Sequence, residues 1–328
     1  MAENATRLRD QAMSFRDGTV GRHVDVPSAS PTNFHQVISA AQDMPRLVID
    51  AKLFLPPRAR RPSPLVIVVP GSLGVAPSHI AHAETLFENG IATCILDSFG
   101  ARQVTSTVAD QTQFSFAASA FDVLAAYRVL ANRPDIDAGR IGAQGHSRGG
   151  SAVLTAATRC FANAVVGTGA GLAAVLAAYP WSGQQFLSPG IGDTEVRVLM
   201  GDADEWCSPT QVQAHCHAMR LADGVASMRL FGGAQHSFDR HTPIEDIPDA
   251  RVALGAPTTY IADDGAMQHP LAQTPDPALV DRDVMVYAMK AGYGRRGARI
   301  GSRPGEAAAF REDMVAFWRR VLRPRAAE

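Results

Sequence analysis

The sequence predicts an α/β fold in which a mostly parallel sheet carries helices on both faces. Three observations predict it. Short, nearly continuous apolar runs recur, such as "PLVIVVPG" at 64–71 and "IATCILD" at 91–97, the pattern of strands buried on both faces. Segments with apolar residues at helical spacing lie between such runs. The connections are short, so strand and helix alternate in the rhythm of a parallel sheet.

In chain order, residues 46–55, "RLVIDAKLFL", alternate as a strand, and Pro56-Pro57 ends it. After the run at 64–71 comes a helix over 78–89, closed by Gly90 in the position past its last turn. The strand at 91–97 leads to a long helix over 115–132, stopped near Pro134. "RIGAQGH" supplies the next strand and "RGGSAVLTAATR" the helix behind it. "ANAVVGTGA" at 162–170 reads as strand-like and "VRVLMGD" at 196–202 as a clear strand, and Pro209 opens a helix. "ASMRLFGG" at 226–233 is the next strand, and 306–322 form a final amphipathic helix.

Two segments stand outside this rhythm. Residues 1–45 show little periodicity and are expected as an N-terminal extension packed on a domain spanning 46–328. Residues 240–305 are rich in Pro, Asp and Gly and form an insertion before the last helix. An insertion that long is either functional or a surface excursion, and this one directly follows a candidate histidine.

The totals limit the function classes. With 328 residues, 46% apolar and 19% charged, the chain has the composition of a soluble protein with a sizeable core. A net charge of -1 provides no overall basic field for nucleic acid or an acidic membrane. The N-terminus has no apolar run of signal-peptide length, and no stretch approaches the roughly 18 apolar residues of a membrane helix. The expectation is a cytoplasmic protein with neither membrane nor nucleic-acid partner. Cys94, Cys160, Cys207 and Cys216 lack the C-x-x-C spacing of metal sites and are expected as free thiols. No internal repeat is present.

The chemistry concentrates in Gly145-His146-Ser147-Arg148-Gly149, a G-x-S-x-G between a strand and a helix. That context is the one a nucleophile elbow needs: glycines allow a sharp turn, and the turn lifts the serine hydroxyl above the sheet edge. The N–H of Arg148 then sits at a helix N-terminus, where an oxyanion would form. A phosphate loop fits poorly, because no lysine follows. A serine hydroxyl needs a base, and the base needs an orienting acid. "VLMGDADEWCSP" offers Asp202, Asp204 or Glu205 at a strand end, with Asp204 favoured and Asp202 read as a turn cap. "FGGAQHSFD" offers His236 after the next strand. Gly71 and Gly74 bracket Ser72-Leu73 after the strand at 64–71, and the Ser72 N–H is the expected second oxyanion donor.

Leu73, His146, Trp181 and Trp206 are candidate pocket residues. His215-Cys216-His217 places its ligand types on different helix faces, and His79-x-x-His82 has no completing cluster, so no metal is expected.

These residues resemble the dienelactone hydrolase family of α/β-hydrolases. "GHSRGG" at 145–150, "GDADEWCSP" at 201–209, "GAQHSFD" at 233–239 and "LDSFGAR" at 96–102 are similar to that family's segments. The resemblance covers roughly residues 64–239 and the final helix. It implies an α/β-hydrolase fold, a Ser147-Asp204-His236 triad, oxyanion donors at Ser72 and Arg148, and no cofactor. Founding members use a cysteine nucleophile and lack a long segment after the histidine. The serine here favours a general carboxylic ester or lactone hydrolase acting through an acyl-enzyme on a small-molecule substrate. Two enzymatic alternatives remain, a prolyl oligopeptidase-like peptidase or amidase and an acyltransferase. A binding protein on a hydrolase scaffold is the non-enzymatic one. The oligomeric state stays open.

Overall fold

The computed structural model describes residues 6–57 and 62–323; the outermost residues of the expected extension and of the expected domain lie outside that range. Residues Arg22–Ala29 form the first strand, β1, with Val24, Val26 and Ala29 buried. It pairs antiparallel with β2 (Arg46–Phe54) from Arg22↔Leu53 to Ala29↔Arg46. The N-terminal stretch is therefore not only an extension packed on the core, because part of it is an edge strand of the sheet. Pro27 interrupted the alternation in the sequence, and an edge strand tolerates it because no partner needs its missing N–H. A short helix, α1 (Phe34–Ser39), lies between them, capped by the Asn33 side chain accepting from Gln36 N.

The α/β rhythm then runs as expected. It comprises β3 (Ser63–Val69), α2 (Pro77–Glu88), β4 (Ala92–Asp97), α3 (Phe116–Ala131), β5 (Ile136–His146) and α4 (Arg148–Ala157). The next segment differs from its strand-like reading. Arg159–Val166 is a helix, α5, and the strand of that unit is β6 (Ala174–Ala178). A short apolar run has no period to tell helix from strand, and the residues 167 and 169 that bound it are glycines with positive φ, which terminate a helix equally well. After the short β7 (Gln184–Phe186) come β8 (Glu195–Gly201), α6 (Pro209–Leu221) and β9 (Ala226–Phe231).

Eight strands make the main sheet, in the order β1-β2-β4-β3-β5-β6-β8-β9. The pairs β1–β2 and β2–β4 are antiparallel and all others are parallel. The strands β3, β4 and β6 are buried along almost their whole length, as their continuous apolar runs require.

Residues 240–305 have structure of their own. An antiparallel ribbon pairs β10 (Glu245–Val252) with a later strand. The short β11 (Thr259–Ile261) and β12 (Met267–Gln268) extend β7 into a second small sheet. They are followed by α7 (Asp281–Lys290) and by β13 (Arg295–Ile300), the partner of β10. Gly301 N donates to His236 O at 2.9 Å, which ties the end of the ribbon to the loop carrying that histidine. The last helix, α8 (Glu306–Val321), packs back on the sheet: Trp318 covers Gly142, where any Cβ would meet its ring at 2.2 Å. Among the described residues no helix is long and apolar enough to cross a membrane.

Candidate active site

Between the end of β5 at His146 and the start of α4 at Arg148 the chain has one residue to reverse, Ser147. It sits at φ 55°, a conformation that side chains other than glycine rarely adopt. Its glycine neighbours make the turn possible. A Cβ on Gly145 would lie 2.0 Å from the Gly149 carbonyl oxygen, and one on Gly149 would lie 2.4 Å from that of Val69. At Gly150 it would press on Pro180 at 3.0 Å, so this glycine lets α4 lie close to the chain leaving β6. Ser147 N donates to Ala178 O at 2.9 Å and fixes the elbow on the neighbouring strand.

The ends of β8 and β9 bring two more side chains to the same edge. His236 Nε2 stands 3.0 Å from Ser147 Oγ, and His236 Nδ1 stands 2.7 Å from Asp204 Oδ2. A carboxylate only accepts, so Nδ1 carries the hydrogen and Nε2 is left to accept from the hydroxyl. Asp204 is buried, and its second oxygen accepts from Trp206 N at 2.7 Å and Cys207 N at 2.9 Å. The other two candidate acids go elsewhere. Asp202 accepts from Gly233 N and holds the turn after β9, while Glu205 pairs with Arg299 at 2.7 Å. The imidazole itself is held between aromatic rings. Trp206 lies nearly parallel to it at 5.3 Å, and Tyr179 meets it edge-on at 4.6 Å.

Two backbone donors border the hydroxyl. The turn at Gly71 comes so close that a Cβ there would sit 3.2 Å from Ser147 Cβ, and Ser72 follows directly. Among the described residues, neither Ser72 N nor Arg148 N donates to a protein acceptor. The loop leading into α3 secures both residues. Thr107 N donates to Ser72 O at 2.8 Å, and the Gln111 amide donates to Ser72 Oγ at 3.0 Å. The Arg148 guanidinium, deeply buried, donates to Ser119 Oγ at 3.1 Å, Gln111 O at 2.9 Å and Phe114 O at 2.5 Å. It lies over the rings of Phe114 and Phe116. Burial pushes it down to about 10, and it remains a cation near neutral pH.

A cavity of about 700 Å³ opens in front of Ser147, with Ser72, Trp181 and Trp206 in its wall. Residues 240–305 supply much of the rest, including Val252, Met285 and Met289. Two candidate pocket residues do not line it. Leu73 stands 47% exposed at the tip of its turn. His146 is buried among α2 and α8, because the sharp elbow aims consecutive side chains in different directions. Burial pushes its imidazole down to about 3, so it is neutral at ordinary pH.

His79 and His82, set aside in the sequence for want of a completing cluster, pack against His146 at 4.8 and 5.1 Å between ring centres. Asp239 and Tyr179 join them, and the sequence singled out neither. Asp239 stood inside the quoted "GAQHSFD", three residues past His236, and that spacing was the only signal for it. His215 is buried and His217 exposed, on different faces of α6.

The sequence model of the dienelactone hydrolase family matches residues 49–256. No curated protein sequence matches significantly. Solved structures similar to this chain include a proposed dienelactone hydrolase from Klebsiella pneumoniae, 18% identical over 66% of this chain and 89% of that one, with a TM-score of 0.48. A dienelactone hydrolase from Anabaena variabilis is 17% identical over 66% of this chain and 88% of that one, with a TM-score of 0.45. Est1E from Butyrivibrio proteoclasticus is 18% identical over 58% and 87%, with a TM-score of 0.44.

Proposed function

The chain belongs to the dienelactone hydrolase family, and from that premise we propose that it is a serine hydrolase cleaving a carboxylic ester or lactone through an acyl-enzyme. In this reading Ser147 is the nucleophile, His236 the general base and Asp204 the residue that orients the base. The observation that carries the reading is the unbroken chain of short contacts, Asp204 Oδ2 to His236 Nδ1 at 2.7 Å and His236 Nε2 to Ser147 Oγ at 3.0 Å.

His236 takes the Ser147 proton as the hydroxyl attacks the carbonyl carbon, and Asp204 stabilises the imidazolium that results. The carbonyl oxygen gains charge between the N–H groups of Ser72 and Arg148. Losing one such donor typically costs about 3–4 kcal/mol of transition-state stabilisation. His236 returns the proton to the departing alcohol. Water then attacks the acyl-enzyme with His236 again as base, which regenerates Ser147 and releases the acid. For a lactone the alcohol and the acid stay joined in one product. The cavity of about 700 Å³ has room for a small-molecule ester.

Ser147→Ala tests the assignment. Hydrolysis of a p-nitrophenyl ester should vanish while the melting temperature stays near that of the parent. A fluorophosphonate should form an adduct on Ser147 of the parent protein; retained activity in the variant, or no adduct in the parent, overturns the reading.

A further inference from the structure

Asp239 is fully buried three residues past the base, yet no step of the proposed reaction uses it. Its Oδ2 accepts from His82 Nε2 at 2.7 Å and its Oδ1 from the Tyr179 hydroxyl at 2.7 Å. His146 Nε2 stands 4.0 Å from Oδ2. Burial alone would favour the neutral acid, but the His82 hydrogen bond, the nearby His82 and His146 and the Tyr179 hydroxyl hold the carboxyl well below its usual range.

None of Asp239, His82, His146 and Tyr179 lines the cavity. The rings of His82 and His146 stack at 5.1 Å with their planes 5° apart, and one nitrogen of each lies with an Asp239 oxygen in a group within 4.8 Å of one another. Both oxygens of Asp239 already accept hydrogen bonds. The cluster is a buried hydrogen-bonded network. A buried charged network of this kind stabilises a fold no better than apolar packing would, and in some proteins it is kept because it specifies geometry.

What it specifies lies next to it. Tyr179, anchored by Asp239, meets the His236 imidazole edge-on with the ring centres 4.6 Å apart. Tyr179 at φ 37° and Ser237 at φ 59° hold backbone conformations that non-glycine residues adopt at a cost, so the surrounding contacts must fix them. One carboxylate joins α2, the chain after β6 and the His236 loop.

On the catalytic reading above, we propose that Asp239 is a positioning residue for the base. Through Tyr179 it fixes the plane of the His236 imidazole as Ser147 gives up its proton. The ionisable groups facing Asp239 are His79 and His82 from α2, His146 from β5, Tyr179 after β6, and Arg240 beside it. Those facing the imidazole are Asp204, Cys207, Tyr179 and the Ser147 hydroxyl.

The test uses Asp239→Asn and Tyr179→Phe in the full-length protein, with active sites counted by fluorophosphonate titration. For Asp239→Asn, kcat per titrated site should fall roughly 10- to 100-fold with KM changed by no more than about twofold, the pattern of a misplaced catalytic group. Tyr179→Phe keeps the ring and loses the hydroxyl that Asp239 anchors, so it should lower kcat per titrated site the same way by less. It also carries the test alone if Asp239→Asn does not fold. An unchanged kcat per site, with any loss confined to melting temperature or to the fraction of active sites, overturns the proposal. A parent protein that takes no fluorophosphonate label overturns the catalytic reading itself, and this proposal with it.

Discussion

The two sides of the His236 imidazole are built from unlike material. On one side is a cavity of about 700 Å³, walled by Trp181, Trp206 and apolar residues such as Val252 and Met285. On the other, Asp239, His82, His146 and Tyr179 form a closed polar cluster. The cluster lies wholly inside the stretch that matches the family, 49–256, whereas α7 with Met285 and Met289 lies beyond it. The difference separates two tasks. Polar groups sealed from water have few alternative partners, so they hold one geometry. An apolar wall contributed by a separate segment can change shape without disturbing that geometry.

The largest expected effect breaks the orienting side at its nearest point. Asp204→Asn removes the carboxylate that fixes the Nδ1 hydrogen, and kcat should fall roughly 10⁴-fold, as such a change does in other triads. Steady-state kinetics on a p-nitrophenyl ester measure it. A loss under tenfold would mean that Trp206 and Tyr179 orient the ring without Asp204, and Asp204 would lose its assigned task.

A smaller effect reads the burial of two histidines, one of them in the polar cluster, as stability. The His146 imidazole is pushed down to about 3 by burial, and that of His215 to about 4. Both are neutral in the folded protein, while in the unfolded chain they take up protons below their ordinary value of 6.5. The unfolded state therefore binds more protons as pH falls, and stability present above pH 6.5 is lost on the way to about pH 4. Each histidine contributes about 1.4 kcal/mol per pH unit in that window. Melting temperatures between pH 7 and pH 4.5 should drop steeply, and His215→Gln should flatten the slope. A parent slope already flat across that range would show that these rings are not held neutral.

The smallest effect is on the cavity side. Met285→Ala enlarges the wall and removes apolar contact, so KM for a bulky acyl ester should rise by roughly three- to tenfold with kcat almost unchanged. A change in kcat as large as the change in KM would mean that α7 also supports the reacting groups, and the division between the two sides would fail.

By itself the sequence determined the alternation of buried strands and helices, the elbow around Ser147, and the order Ser147, Asp204, His236. Each rests on a local rule. Strands buried on both faces leave continuous apolar runs, a tight elbow demands glycine at 145 and 149, and side chains at successive strand ends reach one edge. Tertiary structure decided the rest. The sequence-stated extension conceals the edge strand β1, whose register depends on β2. Residues 162–166 of the run at 162–170 are helical because packing, not the short apolar run, settles their conformation. His146 turned inward rather than toward the cavity, and Asp239 found His82 from 157 positions away. Such pairings depend on which elements the folded sheet brings together, and no spacing along the chain records them.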